Sequence, residues 1–315
     1  MATWRAVVTA IAALACGLSV WACTPRIDGG TNAGHPTLAF EGNPPEWADS
    51  GASVMAELER WRGLEFQTDV RVSFLSQSEP GLNGWYNSQT KQLVVATTES
   101  AQLGRSVLLH ELFHALQDQS FNLYALRQQS VETPDANQTL SAIIEGEAML
   151  AVSELLNYDF LAHAQLPKTD SLRDERFNNI FLYGDGMKFV MAVRDAGGWD
   201  AVDRLFQDPP RSTALIFNPE RYLAGEREIE GVDVPLAPGD RLQSQSVRGE
   251  YQVRLLLARQ PDTRSLLDAM DGAYVSDTFG TIEAADGTTL HRWVIAFSSA
   301  DIAQTIEPGI TTAIV

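Results

Sequence analysis

His110-Glu111-Leu112-Phe113-His114 places two imidazoles four residues apart, with a carboxylate directly after the first. On a helix this spacing puts both rings on one face, a turn apart, where they can share a divalent cation. Glu111 then lies about 100° around the axis from His110, near such an ion without being forced to ligate it. That is the place for a general base acting on an attacking water. Imidazole nitrogen suits zinc, and a catalytic zinc takes three protein ligands and keeps one position open. The third ligand is not a histidine in metzincin spacing, because Gln117, Asp118 and Phe121 follow His114.

Candidates for it lie downstream, in Ile143-Ile144-Glu145-Gly146-Glu147-Ala148. An ionised carboxylate in so apolar a run is costly unless it is paired or bound to a cation. Glu145 and Glu147 point about 200° apart on a helix, so only one of them can face a given ion. Glu145 shares its stripe with Ala142 and Met149, Glu147 with Ile143 and Leu150, and the helical wheel does not choose between them. Glu145 is the preferred third ligand and Glu147 the alternative. Gly146, having no side chain, offers a neighbouring helix a close approach. Asp118 is expected near the end of its helix as a solvated charge or loop anchor, its other use being to accept a ligand N–H. Tyr183 and Tyr222 are candidate oxyanion or substrate donors, against the alternative of packing in the core. His35, His163 and His291 have no ligand-like spacing and are expected to be structural or exposed.

These residues need elements to hold them. Ser106 to Asp118 has the apolar periodicity of a helix, and Thr133-Pro134 supplies a cap and a first-turn proline for a long helix to Asn157. Upstream, Trp47 to Arg62 is helical, with Asp49 or Ser50 as cap, and Val70 to Phe74 alternates as a strand. Trp85-Tyr86 and Leu93 to Val95 predict a hairpin turning through Asn87 to Thr90. Downstream, helix is predicted over Asp185 to Asp195, ended by Gly197-Gly198, and again over Gly249 to Ala258 and Thr263 to Met270. Asp208 to Asp240 is Pro-rich and predicted to be irregular. Thr281 to Glu283 and Trp293 to Phe297 flank Asp286-Gly287 as a second hairpin. Strands early and late with helices between them make the class α+β.

The 315 residues are 44% hydrophobic, with 41 acidic against 23 basic side chains and a formal net charge of -18. That balance argues against nucleic acid and against docking on anionic lipid through basic side chains. Met1 to Ala22, with Arg5 as its one charge, reads as an export signal rather than a spanning helix. Val20-Trp21-Ala22-Cys23 resembles a bacterial lipobox. It predicts an envelope lipoprotein held to the membrane by acyl chains on Cys23, or, if Cys23 is incidental, a secreted or periplasmic protein. Residues 23–45 are rich in Gly, Pro, Thr and Asn and are expected to form a flexible tether. The domain proper is then 46–315, with an N-lobe over about 46–130 and a C-lobe over about 131–315.

The string His110-Glu-Leu-Phe-His-Ala-Leu-Gln-Asp-Gln119, followed by Ile144-Glu-Gly-Glu-Ala148, resembles a family of bacterial zincin-like metallopeptidases, gluzincin in type and often lipoproteins. The family pattern is HExxHALQDQ and then EGDA, whose first Glu corresponds to Glu145 and whose Asp is Glu147 here. Arg62-Gly63-Leu64, Gly84-Trp85-Tyr86-Asn87, Tyr183-Gly184, Gly197-Gly198-Trp199 and Pro209-Pro210-Arg211-Ser212-Thr213 extend the resemblance over most of the exported chain. The family's His-Pro pair ahead of a Tyr is Asn218-Pro219 and Tyr222 here, so Asn218 can donate a hydrogen bond but carry no charge. The family's GWxGD is matched imperfectly by Gly272-Ala273-Tyr274-Val275-Ser276-Asp277. The resemblance implies a zincin-like fold, Zn(2+) on His110, His114 and Glu145, Glu111 as base, and a peptide or protein substrate. By fold analogy it also implies that the strand through Leu93 to Ala96 is an edge strand able to pair with extended substrate. The competing reading is a non-catalytic envelope lipoprotein that keeps the fold for binding or for a structural metal.

Overall fold

Parallel pairing of three short strands, capped by one antiparallel neighbour, organises the first part of the chain. The computed structural model describes residues 35–42, 44–75, 83–97, 100–130, 133–157, 173–259 and 263–314. The predicted signal segment, Cys23 and His163 lie outside the described residues. Two units divide the chain, Met1–Tyr124 and Ala125–Val315, and the class is α+β with two small sheets.

In the first unit β1 (Leu38–Glu41), β2 (Val70–Leu75), β3 (Gly84–Asn87) and β4 (Gln92–Ala96) form a sheet in the order β1-β2-β4-β3. Strand β1 corrects the expected tether at Leu38–Glu41, while 23–34 and 43 of that stretch lie outside the described residues. Leu38 and Phe40 are half-buried while Ala39 and Glu41 are exposed, and the run pairs in parallel with Val70 to Ser73. Strands β3 and β4 make the expected hairpin, with Lys91 at φ 58° at its turn. The edge-strand expectation for Leu93 to Ala96 is overturned: β4 lies between β2 and β3, and the edges are β1 and β3.

Helix α1 (Gly51–Arg62) follows a 3-10 turn over Glu46–Ser50, so neither Asp49 nor Ser50 stands at a free helix start. Helix α2 (Ala101–Phe121) begins earlier than its apolar pattern suggests, because the Ser100 side chain accepts from Leu103 N at 3.2 Å. It stops where Asn122 turns left-handed and donates its N–H to Asp118 O. Leu58, Val72, Leu93, Val95, Leu108 and Leu112 are fully buried. Each such side chain removed from water contributes about 1.5–3 kcal/mol.

Helix α3 (Leu123–Ser130) has its first two residues in the first unit and the rest in the second, where α4 runs Pro134–Leu156. The start of α4 is as predicted: Thr133 Oγ1 accepts from Ala136 N at 3.1 Å, and Pro134 occupies the first turn. Asn157, left-handed at φ 51°, ends it. Next come α5 (Arg173–Asn179), a π-helical segment (Ile180–Asp185) and α6 (Gly186–Gln207). Gly197 and Gly198 break the helical backbone as predicted, but the chain resumes helix beyond them to Gln207. Two short helices, Thr213–Phe217 and Pro219–Leu223, occur inside the stretch expected to be irregular. Strands β5 (Arg241–Ser246), β6 (Tyr274–Glu283) and β7 (Thr289–Phe297) form an antiparallel sheet in that order. Helices α7 (Glu250–Ala258), α8 (Thr263–Met270) and α9 (Ala300–Ile314) complete the unit. Ala214, Val253, Leu257, Met270, Tyr274 and Ile306 form one buried cluster there. Among the described residues, no helix is long and apolar enough to cross a membrane.

Candidate metal centre

Helix α2 carries both histidines, and the four-residue spacing brings their rings together as the sequence requires. The two Nε2 atoms are 3.0 Å apart, with the ring planes at 88°. His114 is buried and His110 half-buried. Gln117 Oε1 lies 2.9 Å from His114 Nδ1. An amide oxygen only accepts, so Nδ1 carries the proton and the Nε2 lone pair is left to face His110. Gln117, and not Asp118, therefore fixes this imidazole. The sequence held the signal, an acceptor three residues after the histidine on the same helical face.

Glu145 is buried on α4. One donor atom from each of His110, His114 and Glu145 lies within 4.8 Å of the other two, and this group could hold a metal ion. Two imidazole nitrogens and a carboxylate oxygen are ligands that zinc accepts. Among the described residues Glu147 belongs to no such group, although it is fully buried.

Behind Glu145 the helix is fixed by main chain. A Cβ added to Gly146 would stand 2.2 Å from the Gly186 carbonyl carbon, and one on Gly186 would stand 2.1 Å from Ala142 O. Two missing side chains thus let α4 and the start of α6 meet backbone to backbone, the close approach expected at Gly146.

Glu111 is buried on α2 at 7% exposure. Edge strand β3 passes close to it: a Cβ at Gly84 would stand 3.3 Å from Glu111 Cγ and 2.6 Å from Val107 Cγ1. Asp118 departs from the solvated charge expected of it. Its side chain is fully buried and accepts from Tyr86 Oη at 2.7 Å and Lys91 Nζ at 2.6 Å. The hairpin folds over the end of α2, which is why a residue near a helix terminus is out of water. Burial and the neighbouring carboxylate raise the Tyr86 phenol above its ordinary pKa.

The remaining candidates lie on the second unit. Tyr183 is half-buried in the π-helical segment. Tyr222 is buried, edge-on to Phe189 at 5.3 Å and under the Arg227 guanidinium at 4.2 Å, and burial raises its pKa. The Asn218 amide donates to Ala214 O at 2.8 Å and to Glu250 at 3.3 Å, which joins the two short helices to α7. His35 meets Glu59 at 3.1 Å, and exposed His291 stacks on Phe279.

The sequence matches no protein-family model and no curated protein, and no solved structure matches the fold.

Proposed function

We propose that this chain is a zinc-dependent peptidase of the zincin-like, gluzincin type, exported and held to the cell envelope by lipid on Cys23. The observation that carries the reading is the convergence of His110, His114 and Glu145 donor atoms within 4.8 Å. A zinc ion bound there would supply Lewis-acid chemistry for both the attacking water and the scissile carbonyl. His114 is held in the ligating tautomer by Gln117. Glu111 takes the proton of the attacking water and later delivers it to the leaving amine. Strand β3, at the sheet edge and close over Glu111, offers main-chain hydrogen bonds to an extended peptide. Tyr183, Asn218 and Tyr222 remain candidates for contact with substrate.

Zinc analysis of the wild type beside His110→Ala and Glu145→Ala, together with casein cleavage, tests this reading. The wild type should bind equimolar zinc and cleave casein, and each variant should lose both. Glu111→Gln should keep the metal and lose at least about 100-fold in turnover. Full zinc retention by Glu145→Ala, with loss in Glu147→Ala, would transfer the ligand role to Glu147. A wild type that binds zinc without cleaving casein or a peptide library overturns the peptidase reading.

A further inference from the structure

In the first unit, a cavity of about 340 Å³ opens between the start of β2, the β3–β4 turn and the second half of α2. Its lining includes Thr68, Asp69, Tyr86, Lys91, Asp118 and Gln119. Asp118 is the unusual member. Both donors that reach it, the Tyr86 hydroxyl and the Lys91 ammonium, fall on Oδ2. Oδ1 is buried and accepts no hydrogen bond. A buried carboxylate oxygen without a donor costs about 1–3 kcal/mol, more when the group is charged, so it is a standing acceptor for any N–H that can reach it.

The other groups of the cavity narrow the chemistry. The Gln67 and Thr68 N–H groups are both taken by Gln119 Oε1, at 2.6 and 3.0 Å, and so do not offer themselves to an anion. Asp69 is held by the Thr37 N–H and hydroxyl at 2.7 and 3.0 Å, so the acceptor left over is the Asp118 carboxylate oxygen, and a carboxylate acceptor favours a cationic N–H donor. Among the described residues Asp118 belongs to no group of three potential metal ligands, which favours an organic cation over a metal ion. Lys91 is the movable wall: its side chain is 55% exposed while Asp118 beneath it is fully covered. It approaches from a turn held at φ 58°, a conformation that side chains other than Gly, Asn and Asp seldom adopt.

We propose that this cavity binds a primary ammonium group on a small body, which docks on Asp118 Oδ1 as the Lys91 side chain moves aside. The site is separate from the metal centre, and its occupancy can be measured without reference to hydrolysis.

Calorimetric titration of the full chain with n-butylammonium chloride, and in parallel with Nα-acetyl-lysine amide, tests the proposal. Saturable binding of either is expected, with none for 1-butanol at equal concentration. Asp118→Asn keeps the shape, removes the charge and should weaken binding at least about tenfold. Lys91→Met removes the competing ammonium and should tighten binding about fivefold. This opposite sign separates a cation site from general damage, and it can be read even if Asp118→Asn folds poorly. No binding of either probe to the wild type and Lys91→Met, or weaker binding in Lys91→Met, overturns the proposal and leaves Oδ1 to water alone.

Discussion

Two carboxylates, one in each unit, are equally shut off from water and differently partnered. Asp277 on β6 receives the N–H groups of Arg248 and Gly249 at 3.0 and 2.9 Å, the Tyr274 hydroxyl at 2.5 Å and the Trp293 indole at 2.6 Å. Both its oxygens are used, and the carboxylate ties the sheet to the start of α7. Asp118 on α2 receives two donors on one oxygen and none on the other. The first arrangement is what a purely architectural charge needs, because every donor it gathers offsets its desolvation. The second leaves bonding capacity unused beside a cavity. Satisfaction of buried groups thus separates scaffold from candidate site where burial alone does not.

Truncation should give the largest contrast. Asp277→Ala strands four donors in the interior and should cost about 3–5 kcal/mol in urea denaturation. Asp118→Ala should cost about 1–2 kcal/mol, since half-exposed Lys91 returns to water and the unmatched oxygen is removed with the side chain. Equal losses would break the distinction.

The second unit should also respond to pH. Burial pushes Glu250 up to about 7 from 4.5, against the pull of Arg254, and Asp135 up to about 6 from 3.8, against its hydrogen bonds to Thr213. Both pKa values are raised in the folded state, so these groups contribute most below their unfolded values, and that contribution fades as pH rises through 6 to 7. Stability should therefore be greater at pH 5 than at pH 8, by on the order of 2 kcal/mol, and Glu250→Gln should flatten the profile. A rise in stability from pH 5 to 8 would contradict this assignment.

The smallest expected effect comes from the helix caps, one in each unit. Thr133→Ala and Ser100→Ala each remove a side-chain acceptor from a helix start and should cost about 1 kcal/mol, read as a shift in denaturation midpoint. If the proposed zinc site is right, losing the Ser100 cap should also weaken zinc binding slightly by fraying the helix that carries both histidines. Unchanged zinc affinity would show that packing alone holds α2.

What the sequence made legible was local. Thr133-Pro134 announces α4 because cap and proline act within one turn, and the two histidines are brought together by helix geometry alone. Asp286-Gly287 and the turn at Asn87 announce hairpins for the same reason. Non-local features were hidden. Strand β1 has four residues and becomes a strand only by pairing with β2, some thirty residues later. The exposed, polar β5 is likewise defined by its partner β6. Asp118 looked solvated because nothing near it in the chain reveals that Tyr86 and Lys91 fold over it. The Gly197-Gly198 break was visible, but the resumption of helix at Trp199 depends on packing around Val202, Leu205 and Phe206, all buried.

The meeting of Gly146 with Gly186 has a mechanical consequence. Main chain rests on main chain there, so no rotamer change can take up a displacement, and α4 can only tilt about that point. Glu145 is one residue from the fulcrum, about 1.5 Å along the axis, whereas Pro134 and Leu156 lie about 18 and 15 Å away. Rocking that carries the helix ends through an ångström would move the Glu145 backbone by only about a tenth as much. The backbone that carries this carboxylate stands beside the quietest point of the lever.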